Sequence, residues 1–250
     1  MLVVRRSGER HHYGHACMKR IVILTGAGVS RESGLETFRD DGGIWSQVKL
    51  EDVCSPEGFL RDPAMVDAFY NKRRQELRGV SPNAAHQALA ELENAYRDEP
   101  EDAFLLVTQN IDDLHERGGS RAPIHMHGEL LRLRCMNCGV TPEWTDDCDR
   151  TTRCPACQEM TLRPDVVWFG EMPLHMERIL RALRCCDVFV AIGTSATVYP
   201  AAGFVQEASG HAHTIELNLV PSDAAALFDE GDYGAATKVV PRFVRDFLTA

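Results

Sequence analysis

Nowhere in the 250 residues does an apolar run approach the ~20 residues that a membrane-spanning helix needs, so no membrane partner is expected. Positive charge is short as well. The 27 Lys and Arg stand against 37 Asp and Glu, for a formal net charge of -10. A chain this acidic is a poor general binder of nucleic acid, because affinity there comes from neutralising phosphates. Its field favours basic protein segments instead. There is no internal repeat and no low-complexity tract. Residues 1–17 mix basic residues and histidines, without an apolar core and cleavage site, so they read as a disordered tail rather than a signal peptide. Patterned sequence begins at Met18. An even cysteine count is also lacking. Nine cysteines, four of them in CxxC pairs, argue against a secreted disulfide scaffold and for metal binding in a reducing compartment, with cytoplasm the default.

What is there is a soluble globular profile, 44% hydrophobic and 26% charged. Four short apolar runs read as strands: Ile21–Thr25, Phe104–Thr108, Asp187–Ile192 and Thr214–Leu219. Continuous runs of this kind suit strands buried on both faces, hence a parallel sheet. Helical patterns lie between or after them, at about 83–96, 174–184, 200–208 and 241–249. The alternation predicts an α/β fold, a doubly wound, Rossmann-like sheet whose ligands bind at the strands' carboxyl ends. Residues 34–80 and 128–163 break the alternation and are assigned to a smaller helical and zinc-ribbon domain. Residues 18–33, 81–127 and 164–250 then form the sheet domain.

Cys135-Met-Asn-Cys138 and Cys154-Pro-Ala-Cys157 are separated by 15 residues. Two CxxC turns present four thiolates to one ion, the pattern of a tetrahedral zinc site. Four thiolates leave no open coordination position, so the metal is expected to be structural. Cys148 lies outside the spacing and is read as a bystander.

Thr25-Gly26-Ala27-Gly28-Val29-Ser30 follows the first strand directly, as a turn before a phosphate-facing helix N-terminus does. Arg31 leaves GxGxxG incomplete, which speaks against a plain nicotinamide dehydrogenase. The same segment, continued by Glu32-Ser33-Gly34, Phe38-Arg39 and Gly43-Ile44-Trp45, resembles the sirtuin cofactor loop. Thr108-Gln109-Asn110-Ile111-Asp112, His127-Gly128, the CxxC pairs, Val167-Trp168-Phe169-Gly170-Glu171, Gly193-Thr194-Ser195 and Asn218-Leu219 follow in the order of that family. The likeness runs from about Lys19 to the C-terminus and is nearest to bacterial sirtuins of class III.

The resemblance implies an NAD-dependent protein-lysine deacylase whose co-substrate NAD is split between nicotinamide and ribose. It assigns NAD contacts to Gly26, Ala27, Gly28, Ser30, Phe38, Arg39, Trp45, Gln109, Asn110, Ile111 and Asp112. The adenosine end falls to Gly193, Thr194, Ser195, Asn218, Leu219, Val220 and Ala236. Asn110 would order the ribose and a water, and Asp112 would bond the carboxamide; from position alone, Asp112 is equally a helix cap. The general base falls on the histidine before glycine, His127, although His125 lies two residues away and would face the same side of an extended segment. His86 and His115 are read as structural.

Residues 62–77 read as a helix capped by Asp62, with Pro63 in its first turn. Tyr70 and Arg73 fall on its apolar face, three apart. A guanidinium turned that way needs an anion, either an internal carboxylate or a ligand's. Tyr-x-x-Arg at this place resembles the class III signature and implies removal of succinyl, malonyl or glutaryl groups. Cys54 stands in the acyl pocket where similar bacterial chains have alanine; it is still small, so acetyl-lysine would enter too. Val167, Phe169 and Gly170 resemble the strand that pairs with substrate backbone. The partner implied is an acylated lysine of a protein, met by a monomer. A mono-ADP-ribosyltransferase and a non-enzymatic NAD-binding zinc module are the competing readings, against which the complete set His127, Tyr70 and Arg73 argues.

Overall fold

The computed structural model describes residues 18–36, 49–195 and 200–249. Six parallel strands form the main sheet: β1 (Ile21–Thr25), β2 (Phe104–Thr108), β3 (Ile124–His125), β6 (Val188–Ile192), β7 (His213–Asn218) and β8 (Glu230–Tyr233). Between β3 and β6 in the chain, β4 (Gly128–Cys135) and β5 (Leu162–Val166) make a separate antiparallel pair. The main sheet has the order β3-β2-β1-β6-β7-β8. The chain therefore winds outward from β1 on one side and from β6 on the other, with the switch point between them. That junction is where a doubly wound sheet opens a crevice beyond its strand ends.

Alternation along each strand divides the core. Ile21, Ile23, Leu106, Val190 and Ile192 face α4 (Ala84–Ala95) and α8 (Ala236–Thr249). Val22, Leu24, Leu105, Val107 and Phe189 face α6 (Met176–Leu183) and α7 (Phe204–Ala208). Both sheet faces are covered, as the unbroken apolar strands required. Within the main sheet, the two strands absent from the sequence reading, β3 and β8, are the outer ones. β3 is two residues long and β8 reads Glu-Gly-Asp-Tyr, so neither has an apolar run to betray it. The last helix starts at Ala236, earlier than the predicted 241, and carries Pro241 inside it. No helix among the described residues is long and apolar enough to cross a membrane.

Residues 49–80 hold α1 (Leu50–Val53), α2 (Pro56–Arg61) and α3 (Pro63–Arg78). Asp62 caps α3 by accepting from the Met65 amide at 3.0 Å, and Pro63 opens it. One row of α3 grips the loop between the CxxC pairs. Asp67 holds the Arg150 guanidinium by both oxygens. Asn71 exchanges two hydrogen bonds of 2.9 Å with the Cys148 backbone. Gln75 donates to Asp147 at 3.2 Å. These positions recur every four residues, one helical turn apart. Behind them Arg74 is wholly buried and donates to Leu130 O at 3.1 Å and Asn71 Oδ1 at 2.8 Å. The two-stranded sheet is thus fastened to α3 along its length.

Cys135, Cys138, Cys154 and Cys157 place their four sulfurs within 4.8 Å of one another. Cys135 and Cys157 Sγ are 3.6 Å apart, and Cys138 and Cys154 Sγ 3.8 Å. A tetrahedron of Zn–S bonds of about 2.3 Å has edges of about 3.8 Å, so the cluster fits zinc. Cys148 is buried near this cluster without joining it.

Chelating the metal, or Cys135→Ala, should lower the thermal midpoint and loosen the 147–150 loop from α3, since structural zinc is coupled to folding; differential scanning calorimetry with amide exchange reads both. Gly128 sits at φ +80°, and a Cβ there would meet Asp165 O at 2.1 Å. Gly128→Ala should therefore cost at least about 2 kcal/mol in urea unfolding.

Candidate active site

The carboxyl ends of β1, β2, β6 and β7 lie side by side and deliver most of the expected cofactor residues to one edge. Gly26 N donates to Ile192 O at 2.9 Å and Gly28 N to Gly193 O at 2.8 Å. A Cβ on Gly28 would meet Gly193 Cα at 2.7 Å, and one on Gly193, at φ +59°, would meet Val29 N at 2.6 Å. The glycines are needed first for the close crossing of two loops. In place of the helix expected after β1 there are two single 3-10 turns, Ala27–Val29 and Arg31–Ser33. A cofactor here is offered loop amides rather than a helix terminus.

Gln109 ties the edge together. Its amide donates to Thr25 O at 2.9 Å, and its side chain donates to Thr194 Oγ1 at 2.9 Å. Asn218 donates to Thr194 O at 2.9 Å. Leu219 and Val220, beyond it, are exposed, while Ala236 packs partly into the core at the start of α8. Ser195 lies in the same loop as Thr194. Ile111 packs partly against the apolar core beneath α3, and its carbonyl accepts from Leu130 N. Phe38, Arg39 and Trp45 lie outside the described residues.

Ser30 is the hub of a buried polar cluster. Its hydroxyl donates to Asp112 Oδ2 at 3.1 Å and accepts from Asn110 Nδ2 at 3.2 Å. His86 Nε2 lies 3.3 Å from the same oxygen. His86 Nδ1 accepts from the Asn83 amide, so the proton of the neutral ring sits on Nε2 and is donated to Ser30. Burial pushes His86 down to about 4, which keeps the ring neutral. His115, 5.0 Å from His86 between ring centres, contacts Thr25 Oγ1 at 2.9 Å. Burial, then the neighbouring His86, holds it well below the usual imidazole range. The two histidines read as structural are thus part of the wall behind the site. The Asn83-x-x-His86 pattern at the start of α4 was the signal that could have placed His86. Asp112 accepts from Leu114 N at 3.1 Å, but the cap position of that short helix, Leu114–Arg117, is Asp113; Asp112 faces Ser30 as well. Burial raises its pKa, against the pull of the Leu114 and Ser30 hydrogen bonds.

In His125-Met126-His127 the alternation of an extended segment does not apply, because β3 ends at His125 and Met126-His127 form a turn before β4 begins at Gly128. His125 is buried with both nitrogens engaged: Nδ1 is 3.1 Å from Asn110 O and Nε2 2.7 Å from Glu116 Oε1. Both partners are acceptors, which favours the doubly protonated ring and leaves neither nitrogen free. Burial opposes that charge, but the Glu116 contact raises the pKa overall. His127 has one anchor, Nδ1 donating to Gln109 O at 3.1 Å. That fixes the tautomer with the Nε2 lone pair available. Burial lowers its pKa, so it is neutral at neutral pH.

Cys54, Tyr70 and Trp168 converge beneath the segment after β5. Tyr70 Oη accepts from Trp168 Nε1 at 2.9 Å and lies 3.6 Å from Cys54 Sγ. Burial pushes the Cys54 thiol up to about 11, against the pull of Tyr70 and of the Arg73 charge. Arg73 Nη1 meets Glu76 Oε2 at 3.2 Å, so an internal carboxylate is present beside the arginine. The expected peptide-pairing strand ends early: β5 stops at Val166, and Gly170 turns at φ +88°. Val167 N donates to His127 O at 2.8 Å and Phe169 N to Cys54 O at 2.9 Å. Those amides are spent inside the protein, and they join the histidine to the Cys54–Tyr70 cluster. Phe169 projects outward, 55% exposed.

The chain is 56% identical over 233 residues to a Salmonella typhimurium protein named NAD-dependent protein deacylase, covering 92% of this chain and 84% of that one. An Escherichia coli protein of the same name is 55% identical, with 92% and 82% covered. Among solved structures, a Sir2 homologue mutant in complex with ADP-ribose superposes with a TM-score of 0.83 at 37% identity, covering 92% of each chain. A Sir2 homologue–NAD complex gives 0.82 at 38%, covering 92% of this chain and 89% of that one. The Sir2 family model matches residues 26–200. With the strand order, the four-cysteine cluster and the loop crossing already in place, the match over most of the sequence establishes that the chain belongs to the Sir2 family, the sirtuins.

Proposed function

We propose that the chain is an NAD-dependent protein-lysine deacylase that removes succinyl groups, with malonyl and glutaryl as further substrates, and also acetyl groups. The products are nicotinamide, the 2'-O-acyl ester of ADP-ribose and free lysine. The observation that carries this reading is His127: its Nδ1 is pinned to Gln109 O and its Nε2 is left with a lone pair, next to the Asn110–Ser30–Asp112 cluster. The names of the bacterial relatives and the NAD and ADP-ribose complexes of similar structures support the choice of co-substrate.

NAD supplies an activated glycosidic bond between nicotinamide and ribose. Gly26, Ala27 and Gly28 would receive its phosphates on loop amides, and Gly193–Ser195, Asn218, Leu219, Val220 and Ala236 its adenosine end. Phe38, Arg39 and Trp45 are assigned by family likeness alone. Asp112 and Asn110 present polar groups to the nicotinamide and its ribose, while Ser30 and His86 hold those groups in place. His127 then takes a proton from a ribose hydroxyl, a task for an imidazole that is neutral at working pH. His125 is unsuited to it, having neither nitrogen free.

The acyl chain would enter beside Cys54 and Tyr70, where the segment Val167–Phe169 links the base to the acyl cluster. Arg73 is the group for a terminal carboxylate, since charge-assisted contacts of guanidinium are strong and directional. Glu76, at the rim, partners it in the absence of ligand. The substrate peptide is held by the outward Phe169, by Gly170 and by main-chain carbonyls, which favours loose choice of protein target. The ribbon and α3 form the smaller unit, built from 34–80 and 128–163, against the sheet unit. Nine cysteines, four of them clustered to hold a metal, suit the reducing cytoplasm.

His127→Ala should abolish turnover while NAD binding by calorimetry persists; full activity in that variant would sink the assignment of the base. Because burial lowers the His127 pKa, the acid limb of kcat/KM should fall below the ordinary imidazole value of 6.5, activity being lost as pH drops through the lowered pKa. A limb above that value would contradict it. Arg73→Met should reduce kcat/KM on a succinyl-lysine peptide by about 10- to 100-fold more than on an acetyl-lysine peptide, the range of a charged hydrogen bond. Equal losses, read by mass spectrometry of nicotinamide and free lysine, would make Arg73 structural.

A further inference from the structure

Trp168 is not among the residues assigned above, yet it is the most firmly placed group around the acyl cluster. It is 2% exposed. The Arg163 guanidinium lies 3.5 Å over its ring centre, and Phe59 packs at 5.3 Å between centroids. Arg163 is in turn gripped by both oxygens of Glu171, at 2.7 and 2.9 Å, and Glu171 Oε2 also accepts from the Trp168 amide at 2.9 Å. The indole plane is therefore fixed on its faces and at its backbone. An indole N–H lies in that plane, so its direction is fixed too, and it is aimed at Tyr70 Oη.

This constrains the phenol. A tyrosine hydroxyl has two in-plane positions, and the proton takes one while the other accepts. With Trp168 donating into one, the Tyr70 proton is left with the opposite one. Cys54 Sγ, 3.6 Å away, is the hydroxyl's other hydrogen-bond neighbour, and it feels the Arg73 charge. A thiol is a weak acceptor, easily exchanged for a carboxylate.

We propose that Trp168 is a positioning residue for acidic acyl groups: its N–H locks the Tyr70 hydroxyl with the proton offered beside Cys54, where it joins Arg73 in meeting a ligand carboxylate. The proposal rests on the acidic-acyl reading of Tyr70 and Arg73. Acetyl-lysine has no such carboxylate and gains nothing from the locked rotor.

The test is a double-mutant cycle on the zinc-loaded full chain, with succinyl-lysine and acetyl-lysine peptides of one sequence. Trp168→Phe should raise KM for the succinyl peptide about 5- to 10-fold, the effect of one hydrogen bond. Its kcat on that peptide and its KM for the acetyl peptide should move about twofold or less. In the Tyr70→Phe background the same change should add less than about twofold on succinyl, because the group it acts through is gone. Undiminished loss in that background, or equal loss on both peptides, overturns the assignment. A second measurement uses the unaltered protein, which has only 3 tryptophans to assign. The Trp168 indole N–H resonance should shift on adding succinyl peptide with NAD and stay in place with acetyl peptide. The same response to both peptides overturns it as well. Arg73→Met, run in parallel, separates the two ideas. If it spares no substrate preferentially, the acidic-acyl reading falls and takes Trp168 with it. If it is selective and Trp168→Phe is not, only Trp168 is wrong.

Discussion

Everything at the active edge depends on the crossing of the β1 and β6 loops, where the Gly28 amide reaches the Gly193 carbonyl at 2.8 Å with no room for a Cβ on either side. That contact sits at the switch point of the sheet, the junction from which the two halves wind apart. It sets where Ser30 stands, two residues beyond Gly28, and where Thr194 stands, one residue beyond Gly193. Thr194 receives Gln109, and Gln109 receives His127. A chain of short contacts thus runs from a glycine–glycine crossing to the nitrogen proposed to do the chemistry. Glycines in such a turn are commonly explained by the approach of a phosphate. Here the protein's own backbone already requires them.

Behind this edge the polar groups are graded by protonation. His86 and His115 are buried and neutral, His125 is buried and paired with Glu116, and His127 is anchored on one side only. Burial is shared by all four rings, so it does not separate them. What separates them is the number and kind of partners each nitrogen has. Two acceptors occupy both nitrogens of His125, one acceptor leaves the Nε2 lone pair of His127 available, and one donor at Nδ1 makes His86 a donor toward Ser30.

Much of this was legible in the sequence, for reasons that differ by element. The four inner strands announce themselves because burial on both faces demands unbroken apolar runs. β3 and β8, at the two edges, escape that demand and that signal. The zinc cluster was legible because CxxC spacing is itself geometry. Between His125 and His127 the sequence offered only the following glycine as a guide, since alternation assumes a straight strand, and the chain leaves the strand in a turn over Met126 and His127. Of the tandem Arg73-Arg74, helical spacing directed attention to the first; that the second is wholly buried against Leu130 O and Asn71 depends on a strand 56 residues away in sequence. Trp168 was named only as part of a motif, because what distinguishes it is a bond across 98 residues.

The row Asp67, Asn71 and Gln75 has a mechanical consequence. It welds the helix that bears Tyr70 and Arg73 to the loop suspended between the metal-holding turns. Any motion of that helix must carry the ribbon with it as one lever, and the four-cysteine cluster then stiffens the arm on which Tyr70 and Arg73 stand.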